Sequence, residues 1–170
     1  FWPCSDQRQL AEAASAGGRV VKADGLASGK GVVVCASEGD TLAAGLALAS
    51  EHGWPLVVEE RLEGVEVSVL ALCDGTRAVM LPTAQDHKRL GDGDTGPNTG
   101  GMGTVSPGTA VGRLGLDEPT LLSRVHETVM LPALSALRDR GQPFVGALFA
   151  GLMVDPSSGA FHVLEFNARL

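Results

Sequence analysis

The chain has 170 residues, 44% of them hydrophobic and 19% charged, enough for one domain or two small lobes and too apolar for a disordered segment. A net charge of −7 disfavours a nucleic-acid partner held by counterion release, and no apolar run reaches the ~18 residues of a membrane span. Cys4, Cys35 and Cys73 lack any C-x-x-C spacing and no secretory leader opens the chain, so a cytoplasmic protein without disulfides or structural zinc is expected.

In chain order, Ser5 to Ala16 reads as a helix capped by Ser5 or Asp6 and ended by Gly17-Gly18. Val20-Val21 opens a strand that enters a glycine-rich turn, with Val32-Val33-Val34 as its hairpin partner. Asp40 to Glu51 is a second helix, with Asp40 as a possible cap and Gly53 as the stop. Leu56-Val57-Val58 forms a strand that leaves through Glu59-Glu60-Arg61-Leu62. Val65, Val67 and Val69 alternate with polar residues, and Asp74-Gly75 turns the chain back into Arg77 to Leu81.

Gln85 to Gly108 is polar, rich in glycine and without period, which predicts a long loop of functional or disordered character. Asp117 to Arg140 reads as one long helix with Pro119 in its first turn and Pro132 kinking it. Two apolar strands, Phe144 to Val154 and Phe161 to Phe166, are joined by the turn Asp155 to Gly159. Helices interleaved with hairpins predict an α+β fold with largely antiparallel sheets. The start at Phe1 and the stop after an apolar run at Leu170 read as a piece of a longer protein.

Four segments could carry chemistry. In VVKADGLASGKGVVV, from Val20 to Val34, a glycine-rich turn would let backbone N–H groups approach phosphate oxygens, with Lys22 and Lys30 adding charge. A P-loop fails here, because Asp24 takes the first glycine position and Gly31 replaces the magnesium-binding Ser or Thr. A hairpin with lysines in solvent fits the same residues. In LVVEERLEGVEVSVLAL, from Leu56 to Leu72, the acidic hinge offers an N–H and a C=O that match an adenine edge, and Glu66 could accept two ribose hydroxyls. A solvated acidic turn is the plainer alternative.

AQDHKRLGDGDTGPNTGGMG, from Ala84 to Gly103, sets His87, Lys88, Arg89, Asn98 and Thr99 among glycines, which suits an anionic, hydroxyl-rich small molecule. Its G-x-G-x-x-G match precedes Pro97 and opens no helix, and Pro97 also occupies the glycine position that a calcium loop needs. In FHVLEFNARL, from Phe161 to Leu170, Glu165 and Asn167 share one face of a strand and offer two oxygens to a hard cation. Leu164 and Phe166 are expected to anchor the other face in the core, and an edge strand with its polar face in water is the alternative.

Taken together, the four segments resemble the ATP-grasp core of the phosphoribosylamine–glycine ligase (glycinamide ribonucleotide synthetase) family, from about Val20 to Arg169. The loop QDHKR…DTGPNTGGMG carries the most specific part of the likeness. The resemblance implies two antiparallel-sheet lobes with helices and a nucleotide held between them, residues 1–75 forming the small lobe and 76–170 part of the larger one. It implies ATP contacts at Lys22, Gly25, Gly29, Lys30, Gly31, Glu59, Leu62 and Glu66. It also implies substrate contacts at His87, Lys88, Asn98, Thr99, Gly100 and Gly101, a catalytic role for Arg169, and magnesium or manganese at Glu165 and Asn167. The partners implied are glycine and phosphoribosylamine, with no nucleic acid and no membrane. Ser28 stands where the family more usually has alanine, and Val65 replaces the first of a common glutamate pair while Glu66 is kept. Two other readings remain at this stage: a non-catalytic nucleotide-binding fragment, and an ATP-grasp ligase with another acid and amine.

Overall fold

The structure, a computed structural model, describes residues 1–25, 31–93 and 95–169, the side chains of Pro97 and Asn98 excepted. The expected phosphate-turn residues Gly29 and Lys30 therefore lie outside the described residues. The chain forms two compact units, residues 1–62 with 98–100, and 63–97 with 101–170.

The first unit contains β1 (Trp2–Cys4), α1 (Gln7–Ser15), β2 (Gly18–Ala23), β3 (Val32–Val34), α2 (Glu38–His52) and β4 (Leu56–Glu60). Its strands make an antiparallel sheet in the order β1-β4-β2-β3. Alternation along the strands turns Val21, Leu56 and Val58 toward Leu10 and Ala13 of α1 and Leu48 of α2, in one core. Val20, Lys22, Val57 and Glu59 take the opposite face by the same rule. Asp6 caps α1, its Oδ1 accepting the Gln9 N–H at 2.8 Å. The second helix begins earlier than expected: Ser37 caps it by accepting the Asp40 N–H at 3.1 Å, so Asp40 lies in the first turn. The helices approach closely because Gly45 has no side chain; a Cβ there would stand 2.5 Å from Leu10 Cδ2. The edge strand β1 has no counterpart in the sequence expectation.

The second unit contains β5 (Val65–Asp74), β6 (Ala78–Met80), β7 (Gln85–Asp86), β8 (Arg89–Gly91), β9 (Thr95–Asn98, its last residue grouping with the first unit) and β10 (Thr104–Val105). These are followed by α3 (Thr109–Arg113), α4 (Glu118–Val125), α5 (Leu131–Asp139), β11 (Val145–Val154) and β12 (Phe161–Asn167). An antiparallel sheet runs β12-β11-β5-β6. Val67, Val69 and Ala71 of β5 and Leu148, Ala150 and Leu152 of β11 bury one face against Leu121, Val125, Met130 and Leu134. The long helix expected over 117–140 runs without interruption from its Asp117 cap to Arg140, as α4, a π turn at His126–Met130, and α5. Pro132 explains the π turn, as the expected distortion of the helix: it has no N–H to donate to a carbonyl one turn back, and the wider turn absorbs the fault, with the Leu131 N–H reaching His126 O.

The expected division after residue 75 differs from the division of the units at Leu62 and Glu63. The physical reason is pairing: β5 lies along the whole of β11, so Val65 to Asp74 joins the second unit. The Gln85 to Gly108 stretch is also more ordered than a loop, because β7 pairs with β10 and β8 with β9. Among the described residues, no helix is long and apolar enough to cross a membrane.

Candidate functional site

In the first unit, the register sets Val20 opposite Glu59 and Lys22 opposite Val57, so Lys22 and Glu59 are diagonal neighbours on one face. They meet as an ion pair at 2.7 Å with both side chains only partly exposed. The end of β2 is tied to the residue before β3 by the Ala23 N–H, which donates to Gly31 O at 2.8 Å. Gly31 is buried and Gly25 exposed. Leu62 is half-buried in the irregular stretch after β4.

In the second unit, Glu66 stands opposite Met153 of β11, and Glu165 of β12 stands opposite Gly151. A register shift makes this arrangement. Val163 pairs with Leu152 and Glu165 with Gly151, leaving Leu164 as the extra residue of a β-bulge. Without the bulge, Val163 and Glu165 would share a face; with it, Phe161 and Val163 align with core-facing residues while Glu165 and Asn167 align with Gly151 and Phe149 on the other face. The bulge thus aims Glu165 to the same face as Glu66. Phe166 corrects an expectation: it is 47% exposed and is no core anchor in this chain, and Leu164 is half-buried.

Lys88 joins these carboxylates. Its Nζ lies 3.1 Å from Glu66 Oε2 and 3.9 Å from Glu165 Oε1. Burial would push the ammonium toward losing its proton, but the charge and hydrogen bond of Glu66, followed by the charges of Glu165 and Asp86, outweigh it and hold the pKa above the usual lysine value. One expected ribose ligand, one expected substrate ligand and one expected metal ligand are therefore brought together.

The remaining residues of the Gln85 to Gly108 stretch, a ribbon built from the β7–β10 and β8–β9 pairs, go elsewhere. His87 is exposed; its N–H donates to Gly103 O at 2.9 Å and its C=O accepts from Met102 N at 2.7 Å. With Arg89, Asp92 and Met102 it lines an open concavity of about 340 Å³. Asn98, Thr99 and Gly100 group with the first unit, while His87, Lys88 and Gly101 belong to the second. Arg169 is exposed just past β12.

Sequence reasoning missed the root of the ribbon. Thr83 is fully buried; its N–H and Oγ1 donate to Glu118 Oε1 at 2.7 and 2.6 Å. Its C=O accepts from Gly108 N at 2.8 Å and Ser106 Oγ at 3.1 Å, so both ends of the ribbon are fastened at one point. The only local signal is an acidic residue in the first turn of a helix, where the dipole alone would account for it. Gly151 was also missed. The Glu165 chain lies across it, with Cγ 3.4 Å from where a Cβ would stand.

Among the described residues, no group of three His, Cys, Asp or Glu side chains is placed to hold a metal ion. Glu165 and Asn167 fit a cation that takes only two protein ligands, since a carboxylate and an amide oxygen are hard donors. Magnesium characteristically completes its shell with phosphate and water.

A family model described as phosphoribosylglycinamide synthetase, ATP-grasp (A) domain, matches residues 4–170. A phosphoribosylamine–glycine ligase of Rhodopirellula baltica is 50% identical over 155 residues, covering 88% of this chain and 34% of that protein. The crystal structure of phosphoribosylamine–glycine ligase from Thermotoga maritima matches with a TM-score of 0.83 and 34% identity, over 99% of this chain and 42% of that one. A biotin carboxylase domain from Hydrogenobacter thermophilus shares the fold at 16% identity and a TM-score of 0.68, over 99% of this chain and 35% of that one. The chain spans about a third of the length of the curated relatives it matches.

Proposed function

Because the chain belongs to the phosphoribosylglycinamide synthetase ATP-grasp (A) domain family, we propose that the protein carrying it joins glycine to 5-phosphoribosylamine with ATP. The product is glycinamide ribonucleotide, an intermediate of purine synthesis. The α+β fold is that of the ATP-grasp domain. The observation that carries the reading is the meeting of Glu66, Lys88 and Glu165 on one sheet face, with Asn167 two residues beyond.

In this reading Lys22 neutralises ATP phosphates, with Gly25, Gly29, Lys30 and Gly31 as further phosphate contacts. Backbone at Glu59 and Leu62 meets the adenine edge, and Glu66 accepts the ribose hydroxyls. Glu165 and Asn167 hold magnesium or manganese, which supplies charge neutralisation for the migrating phosphoryl group. His87, Asn98, Thr99, Gly100 and Gly101 take the acid and amine substrates, with Lys88 where the ribbon meets the carboxylates. Arg169 provides a further cation for the developing charge. A carboxylate oxygen of glycine attacks the γ-phosphorus, releasing ADP and giving glycyl phosphate. The amine of phosphoribosylamine then attacks the acyl carbon, loses a proton and expels phosphate. The protein's contribution is positioning and charge neutralisation, and no side-chain nucleophile is required.

The test is phosphate release by the intact protein. Release that requires ATP, glycine and phosphoribosylamine together is expected; release indifferent to glycine and the amine would overturn the reading.

A further inference from the structure

Glu66 and Glu165 sit on strands separated by β11, and strands two apart lie about 9–10 Å from one another. Their carboxylates nevertheless approach a common point at Lys88 Nζ, and the Glu165 side chain lies over the middle strand to reach it. Gly151 permits this on the β12 side, where the Glu165 chain crosses it. Two carboxylates so placed repel, and the Lys88 ammonium lies within 3.1 Å of one and 3.9 Å of the other. Lys88 is not carried by the sheet. It belongs to the ribbon, one residue after the His87 backbone that is paired with Met102 and Gly103, and the ribbon's two ends are fastened at Thr83. The ammonium that bridges the two carboxylates is therefore anchored in the ribbon.

We propose that Lys88 is a positioning residue that couples the ribbon to nucleotide occupancy by bridging Glu66 and Glu165. The inference rests on the nucleotide reading above and deepens it. A sugar hydroxyl at Glu66 competes with Lys88 for the same oxygens, and a divalent cation at Glu165 repels the ammonium. Either occupant shifts Lys88, and with it the backbone of His87 and Met102. The coupling is reciprocal: a ribbon closed on its own substrate changes nucleotide affinity by the same factor.

Amide hydrogen exchange on the intact protein tests this, with and without ATP and magnesium, glycine and phosphoribosylamine being left out. In the wild type, ATP should change exchange at His87 and Met102 by about fivefold or more, the low end of ordinary coupling. Lys88→Met and Lys88→Gln should bind ATP without that change, and Lys88→Arg should restore it. A ribbon response in Lys88→Met or Lys88→Gln equal to the wild type's would overturn the coupling, as would ATP binding that leaves the wild-type ribbon unaltered. Calorimetry separates the two levels: a wild type that does not bind ATP at all overturns the nucleotide reading, and the coupling with it.

Discussion

Lys22 and Glu59 lie diagonally across the paired strands β2 and β4 and meet at 2.7 Å on the sheet face opposite the helices. The pair restrains the Lys22 side chain on that face, so an anion that takes the place of Glu59 meets an ammonium that has already lost much of its freedom. Lys22→Ala in the intact protein should weaken ATP binding by about 1.5–3 kcal/mol, roughly tenfold to a hundredfold. Calorimetric titration with ATP measures it, and unchanged affinity would remove Lys22 from the phosphate site.

The β2–β3 and β5–β6 hairpins were legible from local sequence. Asp74 Oδ1 accepts the N–H groups of Thr76 and Arg77, and Val20-Val21 and Val32 to Val34 are β-branched runs on either side of a glycine-rich turn. The edge strand Trp2–Cys4 was not legible, because three residues carry no period and its partner lies more than fifty residues away, at Leu56 to Val58. The ribbon was hidden for the same reason, with Gln85 pairing to Val105 through strands of two residues. The shared face of Glu165 and Asn167 followed from alternation alone, but the bulge at Leu164 is set by the register against β11 and leaves no local trace. The convergence on Lys88 follows from that register and from the ribbon, so the residues were readable separately and their meeting was not.

Glu165→Gln should raise the magnesium concentration needed for half-maximal activity while leaving the unfolding midpoint little changed, because Glu165 is exposed at the sheet face. Asn167→Asp should keep part of the activity, since an oxygen ligand remains, and Asn167→Leu should not. Magnesium titrations of the three variants give the ranking. Full magnesium-dependent activity with both residues replaced by alanine would place the metal elsewhere.

Gly64 ends the hinge that leads into β5, and a Cβ there would collide with the Val154 carbonyl. The backbone has nowhere to retreat, because the next residue, Val65, is paired with Val154. Gly64→Ala should therefore destabilise the protein by about 1–3 kcal/mol, as overpacking does. It should also weaken ATP binding through Glu66, two residues on. Denaturant unfolding and calorimetry read the two effects, and an unfolding midpoint equal to the wild type's would contradict the packing argument.

The turn between β11 and β12 is closed by Asp155, whose Oδ1 accepts from Ser157 Oγ at 2.6 Å and Ser157 N at 2.7 Å. These bonds hold its carboxyl below the ordinary value of 3.8. A lowered pKa means that the charged form is favoured by the fold, so its contribution is complete above the ordinary value and is lost as pH falls through the lower one. Asp155→Ala should be less stable than the wild type at pH 7, and the gap should narrow below the ordinary carboxylate value. Denaturant midpoints across that range check the sign; a gap that widens with acid would contradict it.

The proposed chemistry makes one exchange of atoms that other routes do not. A carboxylate oxygen of glycine attacks the γ-phosphorus, and that oxygen leaves with phosphate when the amine displaces it. With glycine labelled with oxygen-18 in its carboxylate, the intact protein, ATP and phosphoribosylamine should release phosphate carrying one labelled oxygen per molecule, read by mass spectrometry. Unlabelled phosphate under the same conditions would contradict the account, since it would mean that the carboxylate of glycine never receives the phosphoryl group.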